Sequence, residues 1–165
     1  MPLTRSLTLM LLAAGGSALL LAAALVSQYG FGLYPCALCL WQRWPHGAAV
    51  LLGLAAVGLR LRGAAGAAVA LAGAAAALAT AGVGVFHVGV EQGGWAGLAA
   101  CSAGPGIDGL SLDALLDPTV PVAAAPRCDE IAFSFAGLSM AGWNAVLSAG
   151  LAAMWLAAAR AVSAA

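Results

Sequence analysis

From residue 7 to residue 28 the chain carries no charged side chain and few polar ones, and uncharged apolar runs recur at 44–59, 64–90 and 138–159. A helix rises about 1.5 Å per residue, so about 20 apolar residues cross a hydrocarbon core ~30 Å thick. The second run is the shortest. It becomes long enough if helix begins near Cys39, giving a helix over 40–59 with Pro45 in its first turns, where a missing N–H costs little. The third run is rich in Ala and Gly and is expected to rely on close helix packing through Gly73, Gly82 and Gly84. Arg5 ahead of the first run gives it the look of a signal peptide. Its uncharged length exceeds the roughly 7–15 residues of a signal core, so it reads as a retained helix. Composition agrees with lipid as the solvent: 64% of the residues are apolar and 7% charged, against roughly 45–50% and 25% in soluble domains. Six basic and six acidic residues cancel, which argues against a nucleic-acid partner or an acidic substrate.

The fold class that follows is all-α: a four-transmembrane-helix bundle forming one domain over 1–165, with helices near 7–28, 40–59, 64–90 and 138–159. Arg5, Arg60, Arg62 and Arg160 fall on one side by alternation, and that side is cytoplasmic by the positive-inside rule. Both termini are then cytoplasmic, and the loops at 29–42 and 91–137 face outward. The second of these loops holds all six acidic residues. Every cysteine lies in or at the end of an outward loop, where disulfides persist. The long loop contains Pro105, Pro118, Pro121 and Pro126 and reads as mostly irregular. Ser111 or Asp113 could cap a short helical piece carrying Leu112, Leu115 and Leu116. Trp41, Trp44, Trp95 and Trp143 fall near the outer interface, as belt aromatics do.

Cys36 and Cys39 form a C-x-x-C pair at a helix start, where side chains at i and i+3 meet and two sulfurs can bond with little backbone movement. The helix N-terminus favours a thiolate, the reactive form. Arg43 follows Cys39 by one turn and can favour an anion there or bind an oxygen-bearing ligand. Cys101 and Cys128 are too far apart for a compact metal knuckle, so no metal is expected, but a loop-closing bridge is permitted. Two pairs on one side of a membrane suggest a relay exchanging thiols for disulfides in sequence. His87 and Glu91 share a helical face near the end of the third helix and could bond to each other. His46, beside a proline, reads as an interfacial residue with no special chemistry.

The stretch Tyr34-Pro35-Cys36-Ala37-Leu38-Cys39-Leu40-Trp41-Gln42-Arg43 resembles the DsbB family of disulfide-bond formation proteins. Phe86-His87-Val88-Gly89-Val90-Glu91 is similar to the end of that family's third helix. The region from Cys128 through Phe135, Gly137, Leu138, Met140 and Trp143 is similar to its second loop cysteine running into the fourth helix. The resemblance implies a bacterial inner-membrane enzyme with periplasmic cysteine loops. Its partner would be a DsbA-like thioredoxin-fold protein, and its electron acceptor the membrane quinone pool, ubiquinone or menaquinone. It further implies attack of the partner on a Cys101–Cys128 disulfide, exchange of Cys128 with Cys36, and Cys39 as the thiolate meeting the quinone. Arg43 would stabilise that thiolate and the reduced oxygens, with His87 and Met140 bordering the ring. Many relatives have proline two residues before the tryptophan matched by Trp143; here that position is Ala141, so the last helix is expected to start differently.

Three other readings remain. A vitamin K epoxide reductase-like quinone reductase also combines four helices with cysteines, but its C-x-x-C lies on the last helix. A structural membrane protein would keep inert loop disulfides. A haem carrier would use His46 and His87.

Overall fold

A computed structural model describes residues 2–102 and 126–163; the expected cap at Ser111 or Asp113 lies outside them. Four long helices account for most of these residues: α1 (Pro2–Gly30), α2 (Ala37–Gly58), α3 (Gly63–Glu91) and, after a one-turn helix α4 (Ala99–Ser102) and a small hairpin, α5 (Met140–Ser163). Helix α1 packs on α2 and α5, and α3 packs on α2 and α5, so the four close into a bundle. Arg60 (φ 47°) and Gly63 (φ 52°) adopt left-handed backbone in the tight turn that sends α3 back along α2. Among the described residues, three helical segments are long and apolar enough to cross a membrane: Arg5–Gly30, Gly63–Glu91 and Met140–Ser163. Helix α2 is not among them, because Gln42, Arg43, Pro45 and His46 interrupt its apolar character, although its 22 residues would extend ~33 Å.

Side-chain size is distributed inside out relative to a soluble bundle. Leu19, Leu51, Leu71 and Leu78 are exposed, while the centre is built from Ala13, Ala14, Ala49, Ala56, Ala70, Ala74, Ala77 and Ala152 around Met10 and Trp155. Small interior residues let helix backbones approach, which is how helices associate when lipid offers no hydrophobic driving force. A Cβ at Gly73 would land on the Trp155 indole, one at Gly53 on Ala14, and one at Gly84 would press on Ala145 and the Ala141 carbonyl. Gly82, expected to join Gly73 and Gly84, does not: it is exposed with open space above it. Gly84 lies three turns from Gly73 and returns to the same face, whereas Gly82 comes round on the opposite one.

The hairpin β1 (Ser134–Phe135) and β2 (Leu138–Ser139) pairs Ser134 with Ser139 and Phe135 with Leu138. Ala136 (φ 49°) and Gly137 (φ 81°) both take positive φ, as a two-residue hairpin turn requires. The hairpin delivers Ser139 to the N-terminus of α5, where its Oγ accepts from the Gly142 N–H at 3.1 Å. That cap starts α5 at Met140 without a proline at Ala141. Ser139→Ala should lower thermal stability by about 0.5–2 kcal/mol, which denaturation in detergent would measure.

Candidate active site

Cys36 is the N-cap of α2: its Sγ accepts from the Cys39 backbone N–H at 3.3 Å. One turn later the Cys39 Sγ lies 3.0 Å from the Cys36 Sγ, with both thiols free. The Nε2 of His87 on α3 approaches the same Cys36 sulfur at 3.6 Å. The Gln42 amide nitrogen donates to His87 Nδ1 at 3.0 Å, so the ring proton sits on Nε2, facing Cys36. Glu91, one turn further along α3, holds its carboxylate 3.9 Å from His87 Nε2 and accepts a 2.5 Å hydrogen bond from Ser139 Oγ. The two residues expected to meet do face each other, at a distance too long for a hydrogen bond, within a buried group of polar side chains between Cys36 and the start of α5.

The Cys39 thiol, the His87 ring and the helix N-terminus all favour charge on Cys36, and together they outweigh its burial, so its pKa is held well below the ordinary thiol value. A lowered thiol pKa contributes stability that is present above the unfolded value of about 8.5 and is lost as pH falls through the folded value. The reduced protein should accordingly keep its thiolate ultraviolet absorbance well below pH 8. Loss of that absorbance with an ordinary thiol midpoint would contradict the assignment.

The second cysteine pair reaches this point through the segment that follows α3. Gly89 leaves room for the Trp95 indole, which stacks on Phe86 at 5.9 Å and donates Nε1–H to the Phe86 carbonyl at 2.8 Å. The chain is thereby folded back over the end of α3, and α4 follows with Cys101 buried. Cys101 is disulfide-bonded to Cys128, and both are buried with Cys36, Leu38 and Val90 in one cluster. Both cysteine pairs thus share a small apolar chamber capping the bundle. Next to it, Arg127 is bidentate to Asp129 in an exposed pair that holds the Asp129 carboxyl below the usual range.

On the other side of Cys39, a cavity of about 290 Å³ opens between α1, α2 and α5. Cys39, Arg43, His46, His87, Met140 and Asn144 line it, together with apolar side chains of α1. Arg43 makes no hydrogen bond to the Cys39 sulfur among the described residues. Its guanidinium reaches α1 instead, donating to Gln28 Oε1 at 2.6 Å and to the Ala24 carbonyl at 3.5 Å, and leaves its buried Nε without a partner.

The sequence-derived residues therefore gather at one end of the molecule: Cys36, Cys101 and Cys128 in the chamber, Arg43 and Met140 at the cavity, Cys39 and His87 between the two. His46 departs from expectation. It is 3% exposed, inside the bundle and bonded to Asn144 Oδ1 at 2.8 Å, because it follows Cys39 by two helical turns and so shares its inward face. Gln42, Thr80, Ser139 and Asn144 were missed. The available signal was a polar residue inside an otherwise apolar run, which in a membrane helix points inward. Cys36 Sγ, Cys39 Sγ and a His87 ring nitrogen also lie within 4.8 Å of one another, a soft donor set of the kind that binds zinc.

A helix-capping dithiol, an oxidised second pair packed against it, and apolar helices around both define the class: a multi-pass membrane protein built for thiol–disulfide exchange. The model of the family described as disulfide bond formation protein DsbB matches residues 5–158, and the chain belongs to that family. It is accordingly a membrane disulfide oxidoreductase. No curated protein and no solved structure matches the chain.

Proposed function

We propose that this protein is a four-helix inner-membrane enzyme that reoxidises a periplasmic DsbA-like thioredoxin-fold protein and passes the electrons to quinone, ubiquinone or menaquinone. In this reading α2 is the fourth crossing, its polar residues turned into the bundle, and the two cysteine loops are periplasmic. The observation that carries the proposal is that Cys39, Arg43, His87 and Met140 border one cavity while Cys36 packs with the Cys101–Cys128 bridge.

The cavity suits a quinone head group. Its walls are largely apolar, its size approaches the ~300 Å³ lower end of ligand pockets, and the unpartnered Arg43 Nε–H is a donor for a carbonyl oxygen. A bound quinone would supply a two-electron, two-proton acceptor. The residues of the chain do the rest, starting with both pairs oxidised. A partner thiolate attacks the Cys101 sulfur, the Cys101–Cys128 bond breaks, and Cys128 leaves as thiolate. Cys128 then attacks Cys36, forming a Cys36–Cys128 bond and releasing Cys39 as a thiolate at the cavity wall. The partner's second thiol displaces Cys101, which closes again on Cys128 and frees Cys36. The partner has lost two electrons and two protons, and the Cys36–Cys39 pair has gained them. His87 holds a proton at Nε2 beside Cys36, and Arg43 places positive charge near the cavity.

The purified protein mixed with a reduced thioredoxin-fold protein and a soluble quinone should bleach the quinone absorbance in proportion to the dithiol oxidised. Thiol oxidation that proceeds equally without quinone, or none at all by correctly folded protein, would refute the proposal. Arg43→Met should slow turnover by about 10–100-fold, the range expected for loss of a charge-assisted contact worth ~1.5–3 kcal/mol, while leaving partner exchange at Cys101 intact.

A further inference from the structure

The cavity continues past Arg43 to His46, which lies one turn deeper along α2, with its Cα ~10 Å along the axis from that of Cys39. Here a buried network has only one consistent direction. Thr80 Oγ donates to the Gln42 carbonyl at 3.1 Å, so its lone pair accepts from Asn144 Nδ2 at 3.1 Å. Asn144 also directs Nδ2 to the Thr80 carbonyl at 3.4 Å, which leaves Oδ1 to accept from His46 Nε2 at 2.8 Å. Ser148 Oγ closes the group, 3.5 Å from both Asn144 Oδ1 and His46 Nε2. Every member is anchored to a backbone carbonyl or to a side chain that is. The imidazole is therefore held as the tautomer protonated at Nε2, and Nδ1 is left as a lone-pair acceptor.

That Nδ1 is buried and has no partner, in a residue that forms part of the cavity wall. An unsatisfied buried acceptor is destabilising, and a ligand or water bringing a hydrogen to it relieves that cost. A quinone has carbonyl acceptors alone; its reduced form carries hydroxyl donors on opposite edges of the ring. A ring with one oxygen toward Arg43 would present its other edge to the part of the cavity that His46 lines.

We infer that His46, fixed by Asn144 and Thr80, accepts a hydrogen bond from the hydroxylated, reduced ring and makes the cavity bind hydroquinone more tightly than quinone. This rests on the quinone reading of the cavity and adds a redox-form preference to it. Stabilising the reduced ring relative to the oxidised one favours electron transfer out of the dithiol pair.

Binding to the full-length protein in detergent, read anaerobically from quenching of the intrinsic tryptophan fluorescence, tests this with three probes: a short-chain quinone, its hydroquinone and the hydroquinone dimethyl ether. His46→Leu should weaken hydroquinone binding about tenfold, the value of one hydrogen bond near the upper end of its range, and weaken quinone binding far less, so that the preference for the reduced ring is lost. Wild-type protein should also bind the hydroquinone about tenfold more tightly than the ether, a comparison that needs no variant. Equal hydroquinone affinity in wild type and His46→Leu, or equal affinity of wild type for hydroquinone and ether, overturns the inference while quinone binding by wild type persists. Failure of wild type to bind any of the three overturns the quinone reading as well.

Discussion

Replacing Cys39 with serine will bring quinone-dependent oxidation of a dithiol protein down to the uncatalysed background. A hydroxyl cannot form the disulfide from which electrons leave, and Cys39 is the sulfur of its pair that lines the cavity. The variant should still meet its partner, because Cys101 and Cys128 remain in the chamber with Cys36. Cys128 could then attack no Cys36–Cys39 bond, so single-turnover exchange with reduced partner should stop after the loop disulfide is consumed. Cys101→Ser gives the complementary pattern, with exchange lost and a direct reaction of the Cys36–Cys39 dithiol with soluble quinone retained. Anaerobic quinone absorbance and mass spectrometry of alkylated thiols separate the two outcomes. Residual steady-state turnover in Cys39→Ser would place the reacting sulfur elsewhere.

The second large effect is on the fold. Gly73→Leu places a side chain where the Trp155 indole already lies. Trp155 is fully buried, with helices on its other sides, so neither group can move without parting α3 from α5. Overpacking of this kind costs about 1–3 kcal/mol. A reduced midpoint in thermal unfolding and a fall in folded yield should both be seen. Gly82→Leu, two and a half turns away on the exposed face, serves as the control and should leave both unchanged.

Most of the bundle was legible in the sequence because lipid imposes a coarse rule: uncharged runs near 7–28, 64–90 and 138–159 each contain most of a long helix. The region around Cys36 was legible for a different reason, since the C-x-x-C spacing and the apolar run behind it both require a helix start. Less visible was the fate of polar side chains within those runs. His46, Thr80 and Asn144 look like isolated interruptions until three helices bring them to one level, which no local pattern encodes. The Ser139 cap and the 134–139 hairpin were hidden because strands of two residues leave no alternation to read. Gly89 shows the same limit: its role is to admit Trp95, a contact set by how the loop folds back.

On the proposed function, the Cys36–Cys39 pair passes its electrons directly to a ligand in the adjoining cavity. This transfer is tested most directly by adding one equivalent of soluble quinone to the fully reduced protein without any partner, under argon, and mapping the thiols by alkylation. One equivalent of hydroquinone and a new disulfide between Cys36 and Cys39 are expected. Unreacted thiols at both positions, or a new disulfide formed first between Cys101 and Cys128, would contradict it.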